Sequence, residues 1–99
     1  MIVKPATPEL DALIHEPARL RIMAALDTCV AADFMFLVGV TRLTRGNLST
    51  HMAKLVNASY VSEAKEFVDR KPRTEYRITE AGRKAYKSYL KDWTKITGR

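Results

Sequence analysis

A single β-hairpin in a chain that otherwise has helical spacing limits the fold more than any other feature of this sequence. Residues 73–78 alternate strictly between charged and neutral side chains, which predicts a strand with one buried face. Residues 60–68 predict its partner strand, and the turn between the two, residues 69–72, contains Pro72 and predicts the hairpin tip. We therefore expect an α+β chain that is mostly α, with a helical core, a sheet of two or three strands and a long C-terminal helix.

Helical spacing accounts for most of the remaining chain. Pro17 suits the first turn of a helix, while Thr44 and Thr79 are N-cap residues for two later helices. The stretch 33–40 is short and, after Asp33, apolar, so only its position before another helix favours a helix over a strand. Residues 1–8 contain two prolines and predict a loosely held arm. The predicted helices cover residues 9–15, 17–28, 33–40, 45–58 and 80–96.

Length and composition predict one domain, residues 1–99, because 46% hydrophobic and 28% charged side chains are ordinary for a globular chain of 99 residues. No apolar run approaches the ~20 residues needed to span a bilayer, and the first ten residues lack a signal-peptide core, so we expect a cytoplasmic protein. Cys29 is the single cysteine, and there are two histidines. We therefore expect no metal site, no cofactor and, since no catalytic constellation is present, no enzyme.

Positive charge is concentrated in the second half of the chain. Residues 1–41 carry three basic and five acidic side chains, whereas residues 42–99 carry fourteen basic and six acidic ones. The turn at residues 69–72 adds a cationic end to the hairpin. Such a field attracts nucleic acid, an anionic membrane or an acidic protein.

The predicted helix 45–58 has an uncommon polar side. Leu48 and Met52 belong to an apolar stripe, while the opposite side carries small hydrogen-bonding side chains and Lys54. No acidic residue occurs between residues 44 and 62, although a solvated helix normally mixes charges of both signs. Short polar side chains on a helix are what reading base edges in the major groove requires.

These segments resemble the winged-helix transcriptional regulators of the MarR and ArsR type. The stretch Arg45–Leu55 is similar to their recognition helix, His15–Met23 to their second helix and Lys65–Arg83 to their wing and its exit, which is the most specific part. The resemblance covers roughly residues 10–92. It implies a winged helix-turn-helix, a dimeric repressor or activator, a recognition helix at residues 45–58 in the major groove and a wing at residues 68–73 on the backbone or in the minor groove.

The polar helix, the basic hairpin and the resemblance together predict the DNA-contacting residues. Three roles are open for His51: a DNA contact, packing on a neighbouring helix, or a helix-cap partner. The predicted contacts are Arg42, Thr44, Arg45, Asn47, Ser49, Thr50, His51, Lys54, Arg70, Lys71 and Arg73.

Two departures from the family pattern bear on these expectations. Ser59 stands where relatives usually have a glycine after the recognition helix, so either Asn57 or Ser59 is expected to adopt the left-handed conformation. Metal-sensing relatives carry cysteine pairs, which this chain lacks, so a thiolate metal sensor is disfavoured.

The apolar side of helix 80–96 is wide for a chain of this size, which favours a homodimer interface shared with the first helix. The partners are then a second copy and duplex DNA with a pseudo-palindromic site, while an effector stays unidentified. The alternative is a protein-interaction module that uses the same aromatic helix. Membrane-surface binding by this helix is the least favoured reading, and we expect no membrane partner. The predicted interface residues are Leu10, Leu13, Ile14, Tyr86, Tyr89, Leu90, Trp93 and Ile96.

Overall fold

The structure, a computed structural model, describes residues 8–98. The predicted arm therefore lies almost entirely outside the described residues. Within them, no helix is both long and apolar enough to cross a membrane. The elements in chain order are α1 (Pro17–Asp27), β1 (Ala32–Asp33), α2 (Phe34–Thr41), α3 (Arg45–Asn57), β2 (Val61–Val68), β3 (Lys71–Ile78) and α4 (Glu80–Thr97).

The architecture confirms the predicted mostly helical α+β fold. The three strands form an antiparallel sheet in the order β1-β3-β2. β2 pairs with β3 along its whole length, whereas β1 pairs with β3 only through Ala32 and Asp33. The residues below 2% exposure form one core between the helices and the base of the hairpin: Ile14, Ile22, Met23, Leu26, Leu37, Leu48, Met52, Leu55 and Val61.

The short helix predicted at residues 9–15 is wrong, because the chain makes only one turn there. The Asp11 carboxylate accepts the backbone N–H groups of Leu13 and Ile14, and the His15 N–H donates to the Asp11 carbonyl oxygen at 2.7 Å. Glu16 is then extended, as the residue before a proline favours, and becomes the N-cap of α1. The cap of α1 therefore ends the turn before it can extend.

The predicted hairpin tip at residues 69–72 is also corrected. The turn consists of Asp69 and Arg70 alone, whose φ angles of 52° and 66° match the right-handed twist of a tight hairpin. β3 begins at Lys71, and Pro72 lies inside the strand opposite Phe67. Pro72 is tolerated because its nitrogen faces the open edge of β3, beyond the end of β1, where no ladder hydrogen bond is lost.

A tight joint connects α3, β2 and α4. Ser59 adopts the left-handed conformation with φ 64°, which confirms one of the two predicted sites. Thr79 donates its backbone N–H to the Tyr60 carbonyl oxygen at 3.0 Å and its hydroxyl to the Ser59 carbonyl oxygen at 2.6 Å. A Cβ atom at Gly82 would lie 2.1 Å from the Tyr60 carbonyl oxygen, so only glycine allows α4 to begin here.

Candidate nucleic-acid interface

A short turn connects the end of α2 to the start of α3. Arg42 ends α2 in the left-handed conformation, with φ 59°, and its N–H donates to the Val38 carbonyl oxygen. Thr44 is the N-cap of α3, and its hydroxyl accepts the Asn47 backbone N–H at 3.1 Å. The two helices therefore form a helix-turn-helix, as predicted, with the N-terminal turns of α3 at the surface.

The polar side of α3 is open to solvent as the sequence predicted. Leu48, Met52 and Leu55 are buried on the opposite side and fix the rotation of the helix. None of the polar side chains on the open side forms an ion pair with another described residue. The exposed side chains are Arg45, Asn47, Ser49, Thr50 and Lys54, with Arg42 and Thr44 exposed just before them.

His51 lies at the edge of this polar side and turns toward α1. Its Nδ1 atom is 3.1 Å from Nη1 of Arg19 and 3.3 Å from Oε2 of Glu16. Arg19 also donates from Nε to the Leu13 carbonyl oxygen at 2.6 Å, so the same guanidinium holds the turn before α1. The packing on a neighbouring helix that the sequence left open for His51 is therefore present.

Glu16 joins this contact to the N-cap of α1. Oε1 accepts the Ala18 N–H and Oε2 the Arg19 N–H, which caps α1. Partial burial works against its ionisation, but these two backbone N–H groups and the charges of His51 and Arg19 outweigh burial, so the pKa of Glu16 is lowered. The carboxylate is therefore ionised at neutral pH and faces both Arg19 and His51.

The predicted wing residues fall into two groups. Arg70 and Lys71 are exposed at the tip and form no ion pair within residues 8–98. Arg73 is instead bound to Asp33, with 2.7 Å between Nη2 and Oδ2. Asp33 also caps α2, because its Oδ1 accepts the Phe36 N–H at 2.7 Å. Arg73 thus ties the wing to the N-cap of α2, a contact that the sequence did not predict because the two residues are 40 apart in the chain.

The predicted dimer residues also divide. Ile14, Tyr86 and Tyr89 are buried within the chain, at 0%, 8% and 3% exposure, so their side chains offer little surface to a partner. Tyr89 donates to or accepts from His15 Nδ1 at 2.9 Å. Leu10 and Leu13 are partly buried against the core. The outer side of α4 exposes Leu90, Trp93 and Ile96 at 44%, 45% and 43%.

A second apolar surface lies on α2, which the sequence showed as a uniformly apolar stretch. Met35, Phe36 and Val40 are about half exposed, whereas Leu37 is fully buried. The helix is therefore apolar on both its inner and its outer side. No group of side chains suited to a metal ion occurs among the residues the structure describes.

Comparison with known proteins points in the same direction as the geometry. Residues 18–97 match a family described as a winged helix DNA-binding domain. The chain is 31% identical over 78 residues to the uncharacterized protein MJ0432 of Methanocaldococcus jannaschii, and the match covers 79% of this chain and 85% of that relative.

Solved structures share the fold. A transcriptional regulator homologue protein from Pyrococcus horikoshii OT3 superposes with a TM-score of 0.81 at 32% identity, and the match covers 87% of this chain and 85% of that one. A MarR-family transcriptional regulator from Silicibacter pomeroyi superposes with a TM-score of 0.65 at 24% identity over 82% of this chain and 53% of that one, a likeness in fold alone. The predicted winged helix-turn-helix fold is confirmed.

Proposed function

The chain belongs to the winged helix DNA-binding domain family, and on that premise we propose that it is a transcriptional regulator that binds double-stranded DNA with sequence preference as a homodimer. In this proposal α3 enters the major groove, and the wing at residues 68–73 lies on the backbone or in the neighbouring minor groove. The activity belongs in the cytoplasm and involves neither catalysis nor a cofactor.

The observation that carries the proposal is the exposed side of α3, which is free of acidic residues from Thr44 to the end of the helix. Arg45 has the forked guanidinium that pairs with guanine, and Asn47 has the amide that pairs with adenine. Ser49 and Thr50 donate or accept. Lys54 lies further along the helix, where a phosphate contact is expected. The side therefore carries groups suited to base edges and to the backbone.

The wing supplies charge rather than base reading in this proposal. Arg70 and Lys71 are exposed at the tip, and cations placed on phosphates give affinity that does not depend on sequence. Since each neutralised phosphate releases counterions, binding should weaken steeply as salt increases. Arg73 is paired with Asp33, so it adds less positive charge to the wing than Arg70 and Lys71 do.

The homodimer is supported by the apolar side chains that α4 leaves exposed. Leu90, Trp93 and Ile96 recur at helical spacing, and apolar surface of this kind on a small protein favours association. Two copies related by a two-fold axis would place their α3 helices in successive major grooves, about 34 Å apart, on a pseudo-palindromic site. Trp93→Glu should convert a dimer to a monomer in sedimentation velocity, and unchanged sedimentation would contradict this interface.

The test is a fluorescence-anisotropy titration with duplexes selected from a random library and with scrambled duplexes, at two salt concentrations. We expect salt-sensitive binding with a clear preference for the selected duplex. The double variant Arg70→Glu, Lys71→Glu should lose binding to both duplexes. The matched control, Lys91→Glu with Lys95→Glu on α4, makes the same change in net charge away from α3 and the wing. It should retain most of the affinity for DNA.

No binding near ~10 μM at low salt would contradict the proposal, because even non-specific DNA binders register there. A second candidate is then favoured by the exposed Leu90 and Trp93, namely a protein-interaction module that uses α4. For such a module, charge reversal at Arg70 and Lys71 should leave partner binding intact, while Trp93→Glu should abolish it.

A further inference from the structure

The contact between His51, Arg19 and Glu16 connects the proposed interface to the start of α1. His51 belongs to α3, whereas Arg19 and Glu16 come from a part of the chain 32 and 35 residues earlier that carries none of the predicted DNA contacts. One ring nitrogen of His51, Nδ1, faces both of them, at 3.1 Å from the guanidinium and 3.3 Å from the carboxylate. The same atom therefore meets a group that only donates and a group that only accepts.

The two partners require two different states of the imidazole. A guanidinium has no acceptor, so the contact with Arg19 requires an unprotonated Nδ1 and places the single proton of a neutral ring on Nε2. The contact with Glu16 requires a proton on Nδ1, which in a ring that also keeps its Nε2 proton means the imidazolium. In both states Nε2 carries a proton.

Nε2 is accessible to solvent. Nε2 makes no hydrogen bond within residues 8–98. In those residues, every enclosed polar side-chain atom of a buried or partly exposed residue has a hydrogen-bond partner, so Nε2 is not enclosed. The side chain of His51 is 22% exposed, so the open part of the ring includes this nitrogen. On α3, His51 lies one turn after Asn47 and three residues before Lys54, at the edge of the exposed polar side.

We propose that Arg19 and Glu16 are positioning residues of the DNA-binding surface that act through His51. They present its Nε2–H as a hydrogen-bond donor to a phosphate oxygen, and they let the ring take up a proton when the protein binds DNA. The inference rests on the proposed DNA-binding function and extends it. When a phosphate approaches Nε2, its negative charge favours the imidazolium, and Nδ1 exchanges the guanidinium for the carboxylate of Glu16. The proton comes from solvent, so binding and proton uptake are linked.

The charged groups near the ring have opposing effects on this exchange. Arg19 from α1 and Lys54 on α3 itself disfavour a second positive charge, while Glu16 from the cap of α1 favours it. Arg19 stays anchored during the exchange, because its Nε atom is bonded to the Leu13 carbonyl oxygen and its backbone N–H to Glu16. The His51 ring therefore takes up the proton while Arg19 stays bound at the start of α1.

The first test needs no DNA. Long-range ¹H–¹⁵N NMR on histidine-labelled protein at pH 8 reports which ring nitrogen carries the proton, and His15→Gln assigns the two histidines. We expect His51 to be the Nε2–H tautomer. Finding the proton on Nδ1 at that pH would overturn the proposal whether or not the protein binds DNA.

The second test measures duplex affinity between pH 8 and pH 6 at constant ionic strength. Wild-type protein should bind about threefold to tenfold more tightly at pH 6, since uptake of one proton limits the gain to about tenfold per pH unit. His51→Gln should abolish the gain and Glu16→Gln should reduce it. His15→Gln is the matched control, because it removes the other histidine, which contacts Tyr89 and Trp93 instead, and should retain the full gain.

The outcomes separate this inference from the function beneath it. Binding that is tight at every pH, with the same pH dependence in wild type and His51→Gln, refutes the positioning role and leaves the DNA-binding function standing. Absence of binding at every pH refutes the function and the inference together. Circular dichroism melting of Glu16→Gln, which also alters the α1 cap, shows whether its reduced gain arises from unfolding.

Discussion

The two parts of the proposed interface, α3 and the wing, are held in different ways. Leu48, Met52 and Leu55 anchor α3 in the core along its whole length, so each exposed polar side chain has a fixed direction. β2 is exposed from Ser62 to Val68, and beyond the sheet base the wing is tied to the helices by the Arg73–Asp33 pair. Base reading needs fixed donors, whereas attraction to phosphates tolerates a less supported element. Under the proposed function, this difference favours sequence reading by α3 and general affinity from the wing.

The largest expected effect comes from the joint that supports both parts. Gly82→Ala would place a Cβ 2.1 Å from the Tyr60 carbonyl oxygen, and a backbone atom cannot move aside as a flexible side chain does. We expect a loss of about 3 kcal/mol or more in the free energy of unfolding, measured by urea denaturation. Gly39→Ala in α2 is the matched control, because its Cβ meets no atom within 4 Å and should cost nothing. Equal stability of the two variants would contradict the close approach.

Asn47→Ala and Lys71→Ala test the division of roles directly. Removal of the Asn47 amide should cost about 1–3 kcal/mol on the selected duplex at one base position and little on random duplex. Lys71→Ala should weaken binding to all sequences alike and lower the salt slope by about 1. Anisotropy titrations on both duplexes measure the two effects. If both variants lose affinity equally on selected and random DNA, the assignment of roles is wrong.

Alkaline titration compares the joint, which contains Tyr60, with strand β3 of the wing, which contains Tyr76. The hydrogen bond to Asp11, together with burial, raises the pKa of Tyr60 to about 12, and burial, with Glu63 nearby, raises the pKa of Tyr76 to about 12. Because each folded pKa exceeds the ordinary value of 10.0, each tyrosine stabilises the fold below about pH 10, and that contribution is lost as pH rises through about 12.

Tyr60→Phe should therefore cost about 1 kcal/mol at pH 7 through the lost hydrogen bond and should flatten the loss of stability above pH 10. Tyr76→Phe, which keeps the buried ring in the sheet, should flatten the same part of the curve at a smaller cost at pH 7. Urea melts at pH 7, 9, 10 and 11 measure both. If Tyr60→Phe loses as much stability above pH 10 as the wild-type protein does, the contact with Asp11 is not formed.

Asp33→Asn should give the smallest effect and isolates the ion pair of the wing. Asparagine keeps an N-cap for α2 but removes the charge bound to Arg73, so we expect a stability loss below about 1 kcal/mol. Release of Arg73 and loss of one acidic group should raise affinity for every duplex by about twofold to threefold. Asp33→Ala, which also removes the cap, should melt at a lower temperature than Asp33→Asn. Weaker DNA binding by Asp33→Asn would mean that the pair positions the wing for the duplex.

The elements that the sequence predicted well are those with local signals. Helical spacing and the caps Thr44 and Thr79 located α3 and α4 to within one residue at each end. The prediction failed at residues 9–15, where Asp11 satisfies the N–H groups of a single turn and Glu16 begins a new cap. Apolar spacing alone does not distinguish one turn from two, since the outcome depends on which side chains cap the backbone.

The predicted dimer-interface residues show what the apolar spacing of a single helix cannot predict. Tyr86, Tyr89 and Leu90 share the apolar stripe of α4, yet the two tyrosines are buried and Leu90 is exposed. Which part of a wide stripe meets the core depends on how α4 leaves the joint at Gly82. Likewise, nothing in the local sequence indicates that Arg73 pairs with Asp33.

The sequence by itself determined helices α1 to α4, the hairpin, the acid-free polar side of α3 and the position of the basic wing, because spacing, caps and turn residues act within a few neighbouring residues. Only the tertiary structure decided which polar groups meet. Arg73 and Asp33 are 40 residues apart in the chain, and Arg19 and His51 are 32 apart. Contacts of this kind follow from how the helices pack on a shared core, since packing brings together residues whose local sequences carry no mutual signal.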